Sequence, residues 1–248
     1  MLLTLTWIQW AVIAGAAVLI GITKTGIPGM GILIVPILAE VLPAKASTGF
    51  LLPMLIIGDI FAVIYYRRKG KFRYILKLAP WALAGIIIGY FLLGRVNNEE
   101  LKPIIGIIVL IMLLVHFIRL FIIRNKDVPI PDNWWFSGIM GITAGITTMM
   151  ANAAGPIMMI YLTSMKLPKE EYIGTGAWYF IAMNTIKVPF SASLGLITAS
   201  SLLTNSILIP AIVLGAVLGR IVLKRIPQKA FSVVIQALAA LSAVNLVI

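Results

Sequence analysis

The stretch ITKTGIPGMGILIVPILAEVLP, Ile22 to Pro43, starts and finishes in hydrophobic sequence. Between those ends it carries Thr23, Lys24, Thr25, Gly26, Pro28, Gly29 and Gly31. Glycine favours irregular backbone, and proline cannot donate to a helix interior. The spacing therefore predicts a helix that stops near Ile22 and a short second helix over Gly29–Leu42. At 1.5 Å per residue, about 14 residues cover roughly 21 Å of a hydrocarbon core about 30 Å thick. The chain is therefore expected to break its helix here, with Lys24 at the break.

The sequence around this stretch is that of a polytopic membrane protein. Of 248 residues, 61% are hydrophobic and 11% are charged, against about 45–50% and about 25% in soluble domains. No soluble domain is left over once the apolar segments are assigned. The absence of cysteine and the single histidine, His116, argue against thiolate or imidazole metal sites and against disulfides. No cofactor is expected. The net charge of +12 does not point to nucleic acid, because the basic residues sit in short loops beside apolar segments, where they set topology. The start, MLLTLTWIQW, lacks the basic region of a cleaved signal peptide, so the first span is expected to remain.

Ten apolar segments fall into two sets of five. The first set is Leu3–Ile22, Gly29–Leu42, Ser47–Tyr66, Phe72–Gly94 and Leu101–Ile123. The second is Trp134–Met149, Ala153–Met165, Tyr172–Phe190, Ser201–Leu223 and Ala230–Ile248. This divides the chain into a first membrane repeat at 1–123, a cytoplasmic connection at 124–133 and a second repeat at 134–248. A shift of 125 residues superposes Trp10 on Trp135, Thr23 on Thr148, Gly49 on Gly174 and Asp59 on Asn184. It also superposes Leu42-Pro43 on Leu167-Pro168 and Gly94-Arg95 on Gly219-Arg220.

Charge is distributed oppositely in the two sets. The loop with Arg67, Arg68, Lys69, Lys71, Arg73 and Lys77 has an uncharged counterpart beginning at Ser191. The loop with Arg95 and Lys102 also carries Glu99 and Glu100, whereas its counterpart has Arg220, Lys224, Arg225 and Lys229. Opposite bias in related halves is what an inverted repeat produces. The positive-inside rule then places loops 67–77 and 220–229 in the cytoplasm and both termini outside, in an inner or plasma membrane. The expected fold is all-α, with short broken or re-entrant helices opening each half.

Irregular backbone in a membrane must be buried in protein or line a watery cavity. Inverted-repeat transporters place substrate at such breaks, with the positive ends of the half-helices toward anions. The second break runs from Thr147 to Pro156, where Asn152 suits an N-cap. Candidate substrate contacts are Thr23, Lys24, Thr25, Gly26, Gly29, Met30 and Gly31 from one side. Thr148, Asn152, Ala153 and Gly155 come from the other. The competing explanation is close helix packing through small residues. A lysine near the bilayer centre is a functional candidate by default, unless it snorkels to an interface. Asp59 can pair with Lys24, carry a coupling proton, or make a structural hydrogen bond with its counterpart Asn184. Lys187 shares a helical face with Asn184 and either contacts ligand or snorkels outward. Asp59, Asn184 and Lys187 are therefore assigned to coupling or support. No set of catalytic groups suggests an enzyme, and no nucleotide loop is present.

GITKTGIPGMGILIVPILA, YYRRKGKFRYILKLAPWALAGIIIGYFLLG and NAAGPIMMIYL, with the duplicated layout, resemble the TauE/SafE family, also called the sulfite exporter or TSUP family. The resemblance covers nearly the whole chain. It implies a permease for sulfite, organosulfonates or other small sulfur-containing or carboxylate anions, with small anion and lipid bilayer as its partners. Met149 stands where the counterpart of Lys24 would be, so the expected site is asymmetric. The residues leave open an anion channel, and a membrane scaffold or enzyme subunit.

Overall fold

A computed structural model describes residues 5–26, 30–125, 133–165, 167–222, 237, 240–241 and 243–248. Among these, all regular structure is helical. The helices are α1 (Trp7–Thr25), a 3-10 turn (Met30–Leu33), α2 (Ile34–Val41), α3 (Ala44–Tyr66), α4 (Phe72–Arg95) and α5 (Asn98–Asn125). They continue as α6 (Trp134–Ala151), α7 (Gly155–Ser164), α8 (Lys169–Ser193) and α9 (Ala199–Val222). Most of the expected tenth segment, residues 126–132 of the connection, and Lys224, Arg225 and Lys229 lie outside the described residues.

Trp7–Thr25, Ala44–Tyr66, Phe72–Arg95 and Ala199–Gly219 are long and apolar enough to cross a membrane. Along α4, Leu76, Leu83, Ile87 and Phe91 are all exposed. They form one apolar stripe, which suits hydrocarbon rather than water. The segments expected to be short are short. α2 has 8 residues and α7 has 10, and neither can cross a core about 30 Å thick.

Glycines decide which helices meet. α1 and α9 run parallel, with Gly21 against the backbone of Ile212 and Ala216, and Gly215 against Val18. The Thr25 hydroxyl completes this seam by hydrogen-bonding to the carbonyls of Gly21 at 3.0 Å and Ala216 at 2.9 Å. α4 and α6 form a second parallel seam, with Gly85 and Gly145 against each other's backbone and Gly141 against Leu78 and Trp81. Side chains at these positions would collide with main chain, so the close approach depends on their absence.

α3 and α8 pack antiparallel between the two seams. Gly49, near the start of α3, meets Leu196 after α8, while Gly174, near the start of α8, meets Tyr66 at the end of α3 and Lys69 beyond it. The basic loop following α3 is fastened to α8. Lys71 N–H donates to Thr175 Oγ1 at 2.9 Å, and Trp178 Nε1 donates to the Arg67 carbonyl at 3.3 Å. Lys69–Glu170 and Lys71–Glu171 ion pairs, at 2.9 and 3.0 Å, lie above this contact. Hydrogen bonding and attraction between the first pair hold Lys69 above the ordinary lysine value and Glu170 below the ordinary carboxylate value.

Candidate functional site

The two helix breaks lie toward opposite ends of α3. At the first, α1 ends at Thr25 and the Gly26 N–H returns to the Ile22 carbonyl at 3.0 Å. The Thr25 carbonyl accepts from the hydroxyl of Tyr66, the last residue of α3, at 3.3 Å. At the second break, Asn152 Nδ2 donates to the carbonyl of Thr48, in the first turns of α3, at 3.1 Å. Thr48 and Tyr66 are separated by roughly 27 Å of helix at 1.5 Å per residue.

Asn152 does not take its expected place as an N-cap. It closes the C-terminus of α6 in the left-handed region, with φ 50° and ψ 28°. Asparagine tolerates that conformation better than most side chains. Its amide is thereby free to reach α3 and α8. The N-cap of α7 is Ala154, which offers no side-chain cap. In the first turn of α7, Pro156 has no N–H, and the Gly155 and Ile157 amides have no intrahelical acceptor.

A continuous polar chain connects the breaks. Lys24 Nζ forms an ion pair with Asp59 Oδ1 at 2.6 Å. Lys24 Nζ also lies 4.4 Å from the centre of the Phe180 ring. Asn184 Nδ2 donates to Asp59 Oδ2 at 2.7 Å. Lys187 Nζ has three acceptors: Asn152 Oδ1 at 2.6 Å, Thr148 Oγ1 at 3.1 Å and Asn184 Oδ1 at 3.4 Å. Lys187 is 1% exposed, so it does not snorkel outward. Removing an ammonium from water requires such replacement acceptors. Lys24 is 14% exposed and Asp59 is fully buried, so Lys24 is the more accessible of the two charges.

A cavity lies along this chain. It encloses about 880 Å³, counting the space at its mouth. It extends from Asn152, Ala153 and Gly155 at the second break to Ala62 and Tyr172 near the basic loop. Thr23, Lys24, Gly31, Asp59, Thr148 and Asn184 line it as well. The Thr23 hydroxyl is already bonded to the Ile20 carbonyl at 3.0 Å.

Other candidates from the sequence lie elsewhere. Thr25 is buried in the α1–α9 seam, and Gly26 caps α1 without lining the cavity. Met30 begins the 3-10 turn, its side chain lying outside the described residues, as does the whole of Gly29. Leu51, Leu55, Met158, Met159 and Phe180 also line the cavity. Their sequence positions give no local sign of this, because ordinary core residues look the same. The Asn184/Lys187 spacing indicated a shared face but not which helix that face would meet.

No curated protein and no solved structure matches the chain. The family model described as "Sulfite exporter TauE/SafE" matches residues 13–246. That match spans nearly the whole sequence, and the chain therefore belongs to the TauE/SafE family of membrane anion transporters.

Proposed function

We propose that the protein is a secondary transporter for small organic or inorganic anions, such as sulfite, organosulfonates or carboxylates, working by alternating access. The observation that carries this reading is the polar chain from Lys24 to Asn152, which joins two helix breaks along one cavity. Two ammonium groups share that chain with one carboxylate. If both lysines are protonated, one positive charge is unbalanced, and an anion can neutralise it. Lys24, Gly31, Thr148, Asn152, Ala153 and Gly155 face this ligand, with the uncapped start of α7 adding its positive end. Asp59, Asn184 and Lys187 hold the lysines and asparagines in position, and Asp59 is the group available to couple a proton.

Residues 1–123 and 134–248 are read as inverted repeats joined at 124–133. Three observations support that reading. α1 lies on α9 as its counterpart α6 lies on α4. Gly49 and Gly174 each pack beyond the end of the other's helix. Asp59 and Asn184, equivalent positions, touch directly. In this arrangement both termini face outside, and loops 67–77 and 220–229 face the cytoplasm of an inner or plasma membrane. The chain has no cysteine, so single Lys45→Cys and Lys69→Cys variants can be labelled from either side. Labelling of both from the same side would overturn the topology.

Transport is tested with Lys24→Met in proteoliposomes. Saturable anion uptake should fall to background while the protein remains folded in the membrane. Undiminished uptake would remove Lys24 from the site, and uptake without saturation would favour a channel.

A further inference from the structure

We propose that the turn between α3 and α4 is a docking site for an anionic phospholipid, with its phosphate among Arg67, Arg68 and Arg73 and its acyl chains along the outer faces of the two helices. None of these arginines lines the cavity, so the site is separate from the one described above.

The turn holds more positive charge than its surroundings balance. Arg67, Arg68, Lys69, Lys71 and Arg73 follow one another closely. Glu170 and Glu171 pair with Lys69 and Lys71. Arg67, Arg68 and Arg73 are exposed, and among the described residues no carboxylate forms an ion pair with them. The opposite end of α4 differs, because Arg95 and Lys102 share their turn with Glu99 and Glu100. Like charges held together favour an anion between them, and the planar arginine fork matches phosphate oxygens two at a time.

The backbone keeps the arginines at one end of the helix pair. Lys69 N–H returns to the Tyr66 carbonyl at 2.9 Å, and Tyr74 N–H to the Lys71 carbonyl at 3.1 Å. Gly70 lies against the Trp178 ring, where a side chain would collide. The Phe72 ring is centred 5.3 Å from that of Trp178. With the Trp178 bond to the Arg67 carbonyl, the turn is fixed to α8 in advance, which spares a ligand the cost of ordering it.

Apolar stripes supply the other half of the site. α3 and α4 are each long and apolar enough to cross a membrane, so the turn joining them lies at the level of the lipid headgroups. Arg73 shares a face with Leu76, Leu83 and Ile87 of α4, all of them exposed. Arg67 keeps helical angles, φ −51° and ψ −34°, so the exposed Ile60 and Ile64 of α3 lead to Arg67 and Arg68 in the same way. Each stripe ends in arginine. A soluble phosphate would use the arginines alone, whereas a phospholipid uses head and stripe together.

Native mass spectrometry of the full chain in detergent, titrated with phosphatidylglycerol or phosphatidylcholine, tests the inference. Phosphatidylglycerol should bind at a concentration about tenfold or more below phosphatidylcholine. Arg73→Gln should weaken phosphatidylglycerol about fivefold, and the triple variant Arg67→Gln, Arg68→Gln, Arg73→Gln should bind the two lipids alike. Should the triple variant unfold, the three single variants carry the same test, at about fivefold each. Arg95→Gln should leave the preference unchanged, and glycerol phosphate should not displace the lipid at concentrations where phosphatidylglycerol saturates. The inference falls if the wild type binds both lipids alike, if the preference survives the arginine variants, or if Arg95→Gln abolishes it. Displacement by glycerol phosphate at equal concentration would make this a site for soluble anions, and would overturn it as a lipid site.

Discussion

Asp59 and Asn184 stand 125 residues apart in the chain, and 2.7 Å separates Asp59 Oδ2 from Asn184 Nδ2. On the far side of Asp59 is Lys24, and on the far side of Asn184 is Lys187. The carboxylate is thus the only negative charge in a row with a lysine beyond each end. Several consequences can be measured.

Asp59→Asn leaves Lys24, itself only 14% exposed, without its counter-ion. Losing one member of a buried pair costs about 3–5 kcal/mol. The variant should unfold earlier in nanodiscs, and adding Lys24→Met should recover much of that loss. Equal stability of the single and double variants would show that the pair is not coupled.

Lys187→Met strips Thr148, Asn152 and Asn184 of their common donor. Each buried polar group left without a partner costs about 1–3 kcal/mol. Lys187→Arg should not rescue, because a planar guanidinium cannot address three acceptors gathered around one nitrogen. Wild-type stability in the arginine variant would refute the compact ammonium site.

Gly21→Val and Gly145→Val place side chains where the partner helix has main chain. Overpacking costs about 1–3 kcal/mol in ordinary cores, and more where backbone cannot yield. Both variants should lose folded protein in fluorescence-detected size exclusion. Gly15→Ala, with open space around the added methyl, should behave as wild type. Normal yields from Gly21→Val and Gly145→Val would mean that the seams are looser than described.

The basic loop should loosen in acid. Glu170 is held below its ordinary value of 4.5 by Lys69, so its contribution exists above pH 4.5 and is lost as pH falls through its lowered value. Lys69 is raised above 10.5, so its contribution is complete below that pH and lost as pH rises further. Hydrogen exchange of residues 67–71 should therefore be slowest between those limits once intrinsic exchange is corrected. A flat profile, or one matching Glu170→Gln, would show that the pair does not fasten the loop.

Much of the architecture was legible locally. Glycine and proline amid apolar residues marked both breaks, and α3, α4, α7 and α9 begin within about three residues of where the sequence placed them, a normal margin for helix ends. The pairing of helices was not legible, since the sequence of α1 contains nothing that names α9. Thr25 accordingly looked like a ligand contact and proved to be part of a seam. Lys187 looked equally ready to snorkel, and only the approach of Asn152 from α6 explains its burial. Asn152 itself was read as a helix start, because its side chain suits either end of a helix. The left-handed backbone that decides between them depends on the turn as a whole.

The two glycine seams also bear on how the molecule can move. Each joins a helix from before the 124–133 connection to one from after it: α1 with α9, and α4 with α6. Contacts this close resist sliding, since one methyl group would not fit between the backbones. The rigid pieces of the protein are thus these mixed pairs, and the numerical halves of the chain are not mechanical parts. Cutting the chain between α5 and α6 would leave α1 and α4 each without its partner. Neither fragment should be able to assemble alone, and any rearrangement around the cavity must carry helices from both ends of the sequence together.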